Sequence, residues 1–116
     1  MNKDYYNEYI KLCSCLNDFT SSTTAKVAKH NRAMTKLSRL YREVEKEDKS
    51  FYLDLMNLDD ERVKLTAAAH CLGHGIYLDK AMSIVEYLDK HGTTPGVSLD
   101  AHGILYVFNK EGRLKF

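Results

Sequence analysis

The 116-residue sequence has no tryptophan, one proline and only six glycines. With so few residues that interrupt regular structure, the chain favours long helices joined by few turns. No apolar run approaches the ~20 residues that cross a bilayer as a helix, so no membrane partner is expected. The opening stretch, Met1 to Ile10, is polar and tyrosine-rich, with neither the basic start nor the apolar centre of a secretory signal. Three cysteines, Cys13, Cys15 and Cys71, are an odd number and imply no disulfide framework. A reducing, cytoplasmic location is the expectation. Net charge is nearly absent too, at +1, so bulk charge selects no partner.

What is present is an ordinary globular balance, 44% hydrophobic and 28% charged, and a length typical of one domain. Tyr5, Tyr9, Leu12, Leu16 and Phe19 recur at steps of three and four, which predicts an amphipathic helix over about 4–19. Val27, His30, Met34, Leu37, Tyr41 and Val44 form a longer seam of the same period and predict a helix over about 24–47. A short helix is expected over 49–56, and another over about 60–72, with Asp59, Asp60 and Glu61 in its first turn and Gly73 and Gly75 at its end. Asp79 is placed to cap a helix that stops at Gly92, and Thr94-Pro95 reads as cap and first residue of a last helix ending near Gly112. Sustained period-two alternation occurs nowhere, so the expected fold class is all-α.

Charge is unevenly spread. Residues 1–42 hold eight lysines and arginines against three acids, whereas residues 43–61 hold two against eight. Lys26, Lys29, Arg32, Lys36, Arg39 and Arg42 fall on the second predicted helix with no acid among them. The plain account is a solvated face; the sharper one is a strip for phosphates or an acidic protein. Part of the acidic stretch is helix capping, and the remainder offers a surface that mimics a phosphate track.

An internal similarity appears at an offset of 34 residues: Val63-Lys64-Leu65-Thr66-Ala67 against Val97-Ser98-Leu99-Asp100-Ala101. That is the size of a helix-pair repeat, in which each unit buries one face on its neighbour. The run Leu58-Asp59-Asp60-Glu61-Arg62-Val63-Lys64-Leu65-Thr66-Ala67-Ala68 resembles the turn and second helix of a HEAT repeat. With Ala81 to Leu88, Gly96 to Ala101, Asn31-Arg32 and Leu40-Tyr41-Arg42, the chain over 31–112 is similar to a family of short bacterial HEAT-like proteins, some of whose members look like immunity proteins of toxin systems, including contact-dependent growth inhibition. The resemblance implies a single helical domain over 1–116. In it, residues 49–112 form two antiparallel helical hairpins stacked as a short array, and residues 1–48 form long N-terminal helices that cap it.

Constellations with chemical potential are few. His70 and His74, four apart with Cys71 between them, could share a metal on a continuous helix, but glycines stand where that helix should end and the glutamate of a zinc-protease helix is missing. Cys13 and Cys15 are two apart, a spacing that points helical side chains to different sides. No phosphate-binding glycine loop and no nucleophile motif is present. No metal, no cofactor and no catalytic activity are therefore expected.

The resulting expectation is an immunity protein that binds and neutralises a cognate toxin domain. A nucleic-acid-binding helical repeat, motivated by the basic strip, and a general HEAT-like protein-binding adaptor are the alternatives. Nucleic acid is disfavoured because such binders are usually basic overall. The partner is expected on the acidic turn, Asp59, Asp60 and Glu61, with Tyr77 and Asp79 beside it; the basic strip Lys29, Arg32, Lys36 and Arg39 is the second choice.

Overall fold

The computed structural model describes residues 4–16, 24–112 and 114, without the side chains of 24–27. These residues form six α-helices and no strand: α1 (Tyr5–Leu16), α2 (Thr24–Glu43), α3 (Phe51–Met56), α4 (Glu61–His74), α5 (Leu78–His91) and α6 (Val97–Glu111). A 3-10 turn, Val44–Lys46, continues α2. The all-helical expectation holds among the described residues.

The helix α4 is the hub and packs on α1, α3, α5 and α6. Arg62, Val63, Leu65, Ala67, Ala68, Ala69, His70, Cys71 and Leu72 are all buried, so it is enclosed on nearly every side. The three successive alanines let its neighbours approach closely. A helix of this kind shows little amphipathic contrast, because every face has a neighbour. The flanking helices keep clear stripes: Tyr9, Leu12, Cys13 and Leu16 on α1, and Ala81, Val85 and Leu88 on α5. Phe19, expected to extend the α1 stripe, lies outside the described residues.

Contacts between helix ends fix their directions. The Glu61 carboxylate, at the start of α4, accepts from the Thr93 N–H at 2.9 Å and the Thr94 N–H at 2.6 Å, just past the end of α5. Hence α4 and α5 are antiparallel. Arg62 at the start of α4 meets Asp100 near the start of α6, so those two run the same way. The α1 side chains Tyr9 and Cys13 meet His70 and Thr66, in reversed order along α4. Tyr41, near the end of α2, lies on His70 and His74 near the end of α4. Thus α2, α4 and α6 share one direction, and α1 and α5 take the other.

One helix start agrees with the capping expected of the acidic stretch, and several other boundaries differ from the sequence expectation. Asp60 is the N-cap of α4, its side chain accepting from Arg62 N at 2.9 Å and Val63 N at 3.1 Å. Gly73 does not end the helix. It stands inside α4, where a Cβ would come within 2.6 Å of the Tyr41 hydroxyl, so its role is to admit that ring. Gly75, at φ 76°, makes the left-handed cap. Asp79 does not cap α5; the residue before that helix is Tyr77, left-handed at φ 48°, and Asp79 sits in the first turn. Thr94-Pro95 forms a turn, with Thr94 O accepting from Val97 N, and Gly96 at φ 83° precedes α6. The seam of α2 also rotates: Ala33, Leu37, Leu40 and Val44 are buried, whereas Met34 is 48% exposed and Tyr41 half-buried.

Candidate functional site

Three helices running the same way leave a trough between the outer two. The floor is α4, through Arg62, Leu65, Thr66 and Ala69; one wall is α2, through His30, Met34, Leu37 and Ser38; the other is α6, through Leu99, Asp100, Gly103, Ile104 and Val107. Leu16 and Leu114 also line it, and the space is about 600 Å³. The lining residues span some eight positions on each helix, a length of about 12 Å at 1.5 Å per residue. Most of this surface is apolar. Leu99 is 76%, Met34 48% and Val107 40% exposed.

The place of α6 in the fold accounts for that exposure. Leu65 and Leu99 occupy the same position 34 residues apart, yet Leu65 is 2% exposed and Leu99 76%. Helix α4 has neighbours on both sides, whereas no described helix follows α6. An apolar position that is a core position in the middle of the set becomes a surface position at its end.

One charged group is sunk into the trough. Arg62 is 5% exposed, and its Nη1 donates to Asp100 Oδ2 at 2.7 Å. Asp100 itself reaches water, with half its side chain exposed. The pair ties the first turn of the floor to the first turn of one wall. A buried guanidinium requires such an anion.

His70, which also lines the trough, belongs to a buried polar network. The Tyr9 hydroxyl is 2.7 Å from the Tyr52 hydroxyl and 2.5 Å from His70 Nδ1. The proton chain runs in either direction according to which ring nitrogen of His70 carries hydrogen. All three side chains are buried. Desolvation pushes His70 down to about 3, and the nearby His74 adds to this, so the imidazole is neutral near pH 7. Burial raises the hydroxyl values of Tyr9 and Tyr52 well above the usual phenol range. Burial likewise pushes the Cys13 thiol up to about 11 and the Cys71 thiol to about 12, which keeps both protonated and poorly nucleophilic. The network therefore fixes α1 and α3 against α4. His70 and His74 do not converge on a common point: His70 Nδ1 is taken by Tyr9, and the His74 ring stacks on Tyr41 at 4.1 Å between centroids. Among the described residues, no three His, Cys, Asp or Glu side chains are grouped to hold a metal.

The expected acidic site divides into working and free groups. Asp60 caps α4, and Glu61 holds the 93–94 turn, an engagement with the Thr94 N–H foremost that lowers its carboxyl below the usual range. This contact makes Glu61 and residues 93–94 neighbours along one edge. Asp59 on that edge is exposed. Tyr77 and Asp79 are also exposed, but they follow the far end of α4, about 20 Å from its start by helix rise. The five residues thus lie in two places. The basic residues Lys29, Arg32, Lys36 and Arg39 stand together, exposed, along α2.

Sequence reading missed the trough and the Arg62–Asp100 pair. A signal existed: Arg62, Leu65, Thr66 and Ala69 share helical spacing, which places a cation on an apolar face. Comparison with models of known families, with characterised proteins and with solved structures gives no match.

Proposed function

We propose that this chain acts by contact and not by catalysis, as an immunity protein that binds and neutralises a cognate toxin domain, with the trough between α2 and α6 as its docking surface. In this reading the helices are HEAT-like hairpins, α3 with α4 and α5 with α6, stacked behind the N-terminal pair α1 and α2. The single observation that carries the reading is the exposure of Leu99, Met34 and Val107 around one apolar trough. Contiguous apolar surface of this kind marks an interaction site. The occupant is an amphipathic helix of the partner. About two turns of helix fit a trough of this length, and an apolar stripe at three- and four-residue spacing suits parallel helical walls. A donor or acceptor at one end of that helix would meet the half-exposed Asp100 carboxylate. Asp59 and Asp79, exposed at the two ends of α4, supply flanking negative charge that speeds encounter with a basic partner.

The test is protection. Candidate toxin domains, taken from genes adjacent to the one for this chain, are co-expressed with it, and growth and complex formation are measured. The wild-type chain restores growth and co-purifies with the toxin. Leu99→Asp with Val107→Asp loses both while circular dichroism stays helical. Protection that survives the double substitution would reject the trough as the docking surface.

A further inference from the structure

Helix α2 carries a row of cations that the fold does not use. Lys29, Arg32, Lys36 and Arg39 recur at steps of three, four and three, and all are exposed. None of them has a hydrogen bond or ion pair among the described residues. Three cations elsewhere are engaged: Arg62 by Asp100, Lys80 by Asn57, and Lys49 by the carbonyls of Glu45 and Glu47. Like charges at these helical steps repel, so the row opposes α2 instead of stabilising it.

The surface between these cations has its own shape and chemistry. Asn31 and Thr35 join Arg32, Lys36 and Arg39 around a shallow depression of about 280 Å³. The row ends abruptly: Glu43, Glu45, Glu47 and Asp48 follow Arg42, all exposed. From Lys29 to Arg39 the cationic track is about 15 Å long by helix rise. A nucleic-acid backbone carries charge at every step in both directions and would run into these acids. The only Phe, Tyr or Trp in α2 is Tyr41, which lies on α4, so α2 itself contributes no ring to this face for bases to stack on. A protein helix with carboxylates at three- and four-residue steps over about three turns matches the length, the spacing and the closed end.

We propose that the basic face of α2 docks an acidic helical segment of a partner protein. At about 100° per residue the row is centred opposite Met34, which faces the trough. The inference therefore goes beyond the trough reading and stands apart from it. Arginine gives each carboxylate a two-pronged donor, lysine a single charge, and Asn31 a further amide donor.

The test uses the whole chain and defined probes. Fluorescence anisotropy is read with a labelled helical peptide of on the order of 18 residues bearing glutamates at three- and four-residue steps. A peptide of the same composition with scrambled spacing and a short DNA duplex serve as comparators. Binding of the patterned peptide at low salt, weakening about tenfold or more toward physiological salt, is expected. The scrambled peptide should bind several-fold more weakly, as roughly half the contacts then miss their cations. Arg32→Glu with Lys36→Glu should abolish binding, with an unchanged circular dichroism spectrum. If that variant fails to fold, Arg32→Gln with Lys36→Gln gives the same reading through partial loss. Tighter binding of the duplex would overturn the proposal in favour of nucleic acid. Equal binding of both peptides would reduce the row to diffuse attraction, and binding that survives the substitutions, or no peptide binding at low salt, would end it.

Discussion

His70 has lost its water to burial, so only its neutral form suits the folded chain. Its folded value of about 3 lies below the ordinary 6.5. Between those values the unfolded chain holds a proton that the folded chain does not. Stability therefore falls as pH drops below 6.5, by up to about 1.4 kcal/mol per pH unit. His74 is lowered in the same direction, first by burial and then by Lys49. Urea midpoints measured from about pH 7.5 to 5 should fall in the wild type and fall less in His70→Phe, which removes the larger of the two contributions. The Arg62–Asp100 pair gives a second contrast. Asp100→Ala leaves the buried guanidinium without this partner and should cost about 2–3 kcal/mol. Arg62→Met leaves only a half-exposed carboxylate, which water receives, and should cost less than about 1.5 kcal/mol. Equal losses in denaturant titrations would mean that the pair is not asymmetric in burial.

At the scale of elements, α2 and α4 meet through one ring and one missing side chain. Tyr41 stacks on His74 and passes over Gly73, where a Cβ would lie 2.9 Å from ring carbon Cε1 and 2.6 Å from the hydroxyl. Gly73→Ala should destabilise by about 1–2 kcal/mol despite the better helix propensity of alanine. In a Tyr41→Ala background the same change should become neutral or mildly stabilising. A double-mutant cycle with no coupling would separate the two elements. This contact also shows what the sequence made legible. Periodicity marked α1, α2 and α5, whose core faces are one-sided over much of their length, whereas α4 and α6 were read from their caps and terminal glycines. Positions that serve a neighbour and not their own helix were misjudged. Gly73 has the residue type of a terminator, yet it accommodates Tyr41. The Asp79 carboxyl is in reach of a capping role, yet a left-handed Tyr77 starts α5 instead. Asp60 and Glu61 read both as helix-start acids and as binding residues, and in the fold each closes backbone donors. The trough was hidden for the same reason, since its walls come from helices far apart in sequence.

At the scale of the molecule, the repeat gives one position two fates. Leu65 and Leu99 are 34 residues apart and correspond in the repeat, but α4 is enclosed and α6 is not. A propensity or a local pattern cannot distinguish them, since both are leucines at the third position of Val-x-Leu-x-Ala. Only the number of helices stacked beyond each one does. Truncating Leu65 removes buried methyl groups and leaves a cavity among α4, α2 and α6, so Leu65→Ala should cost about 2–4 kcal/mol. Leu99 spends most of its surface in water, so Leu99→Ala should change stability by less than about 0.5 kcal/mol. Its effect should instead fall on partner affinity, because an exposed apolar side chain at the rim of a trough loses its water only on binding. Parallel denaturation titrations, and binding titrations with the partner proposed for the trough, read both quantities in the two variants. A large stability loss for Leu99→Ala would show that something covers α6 in the free chain. A small loss joined to normal binding would take Leu99 out of the interface and leave the α2 wall, with Met34, as the part of the trough to test next.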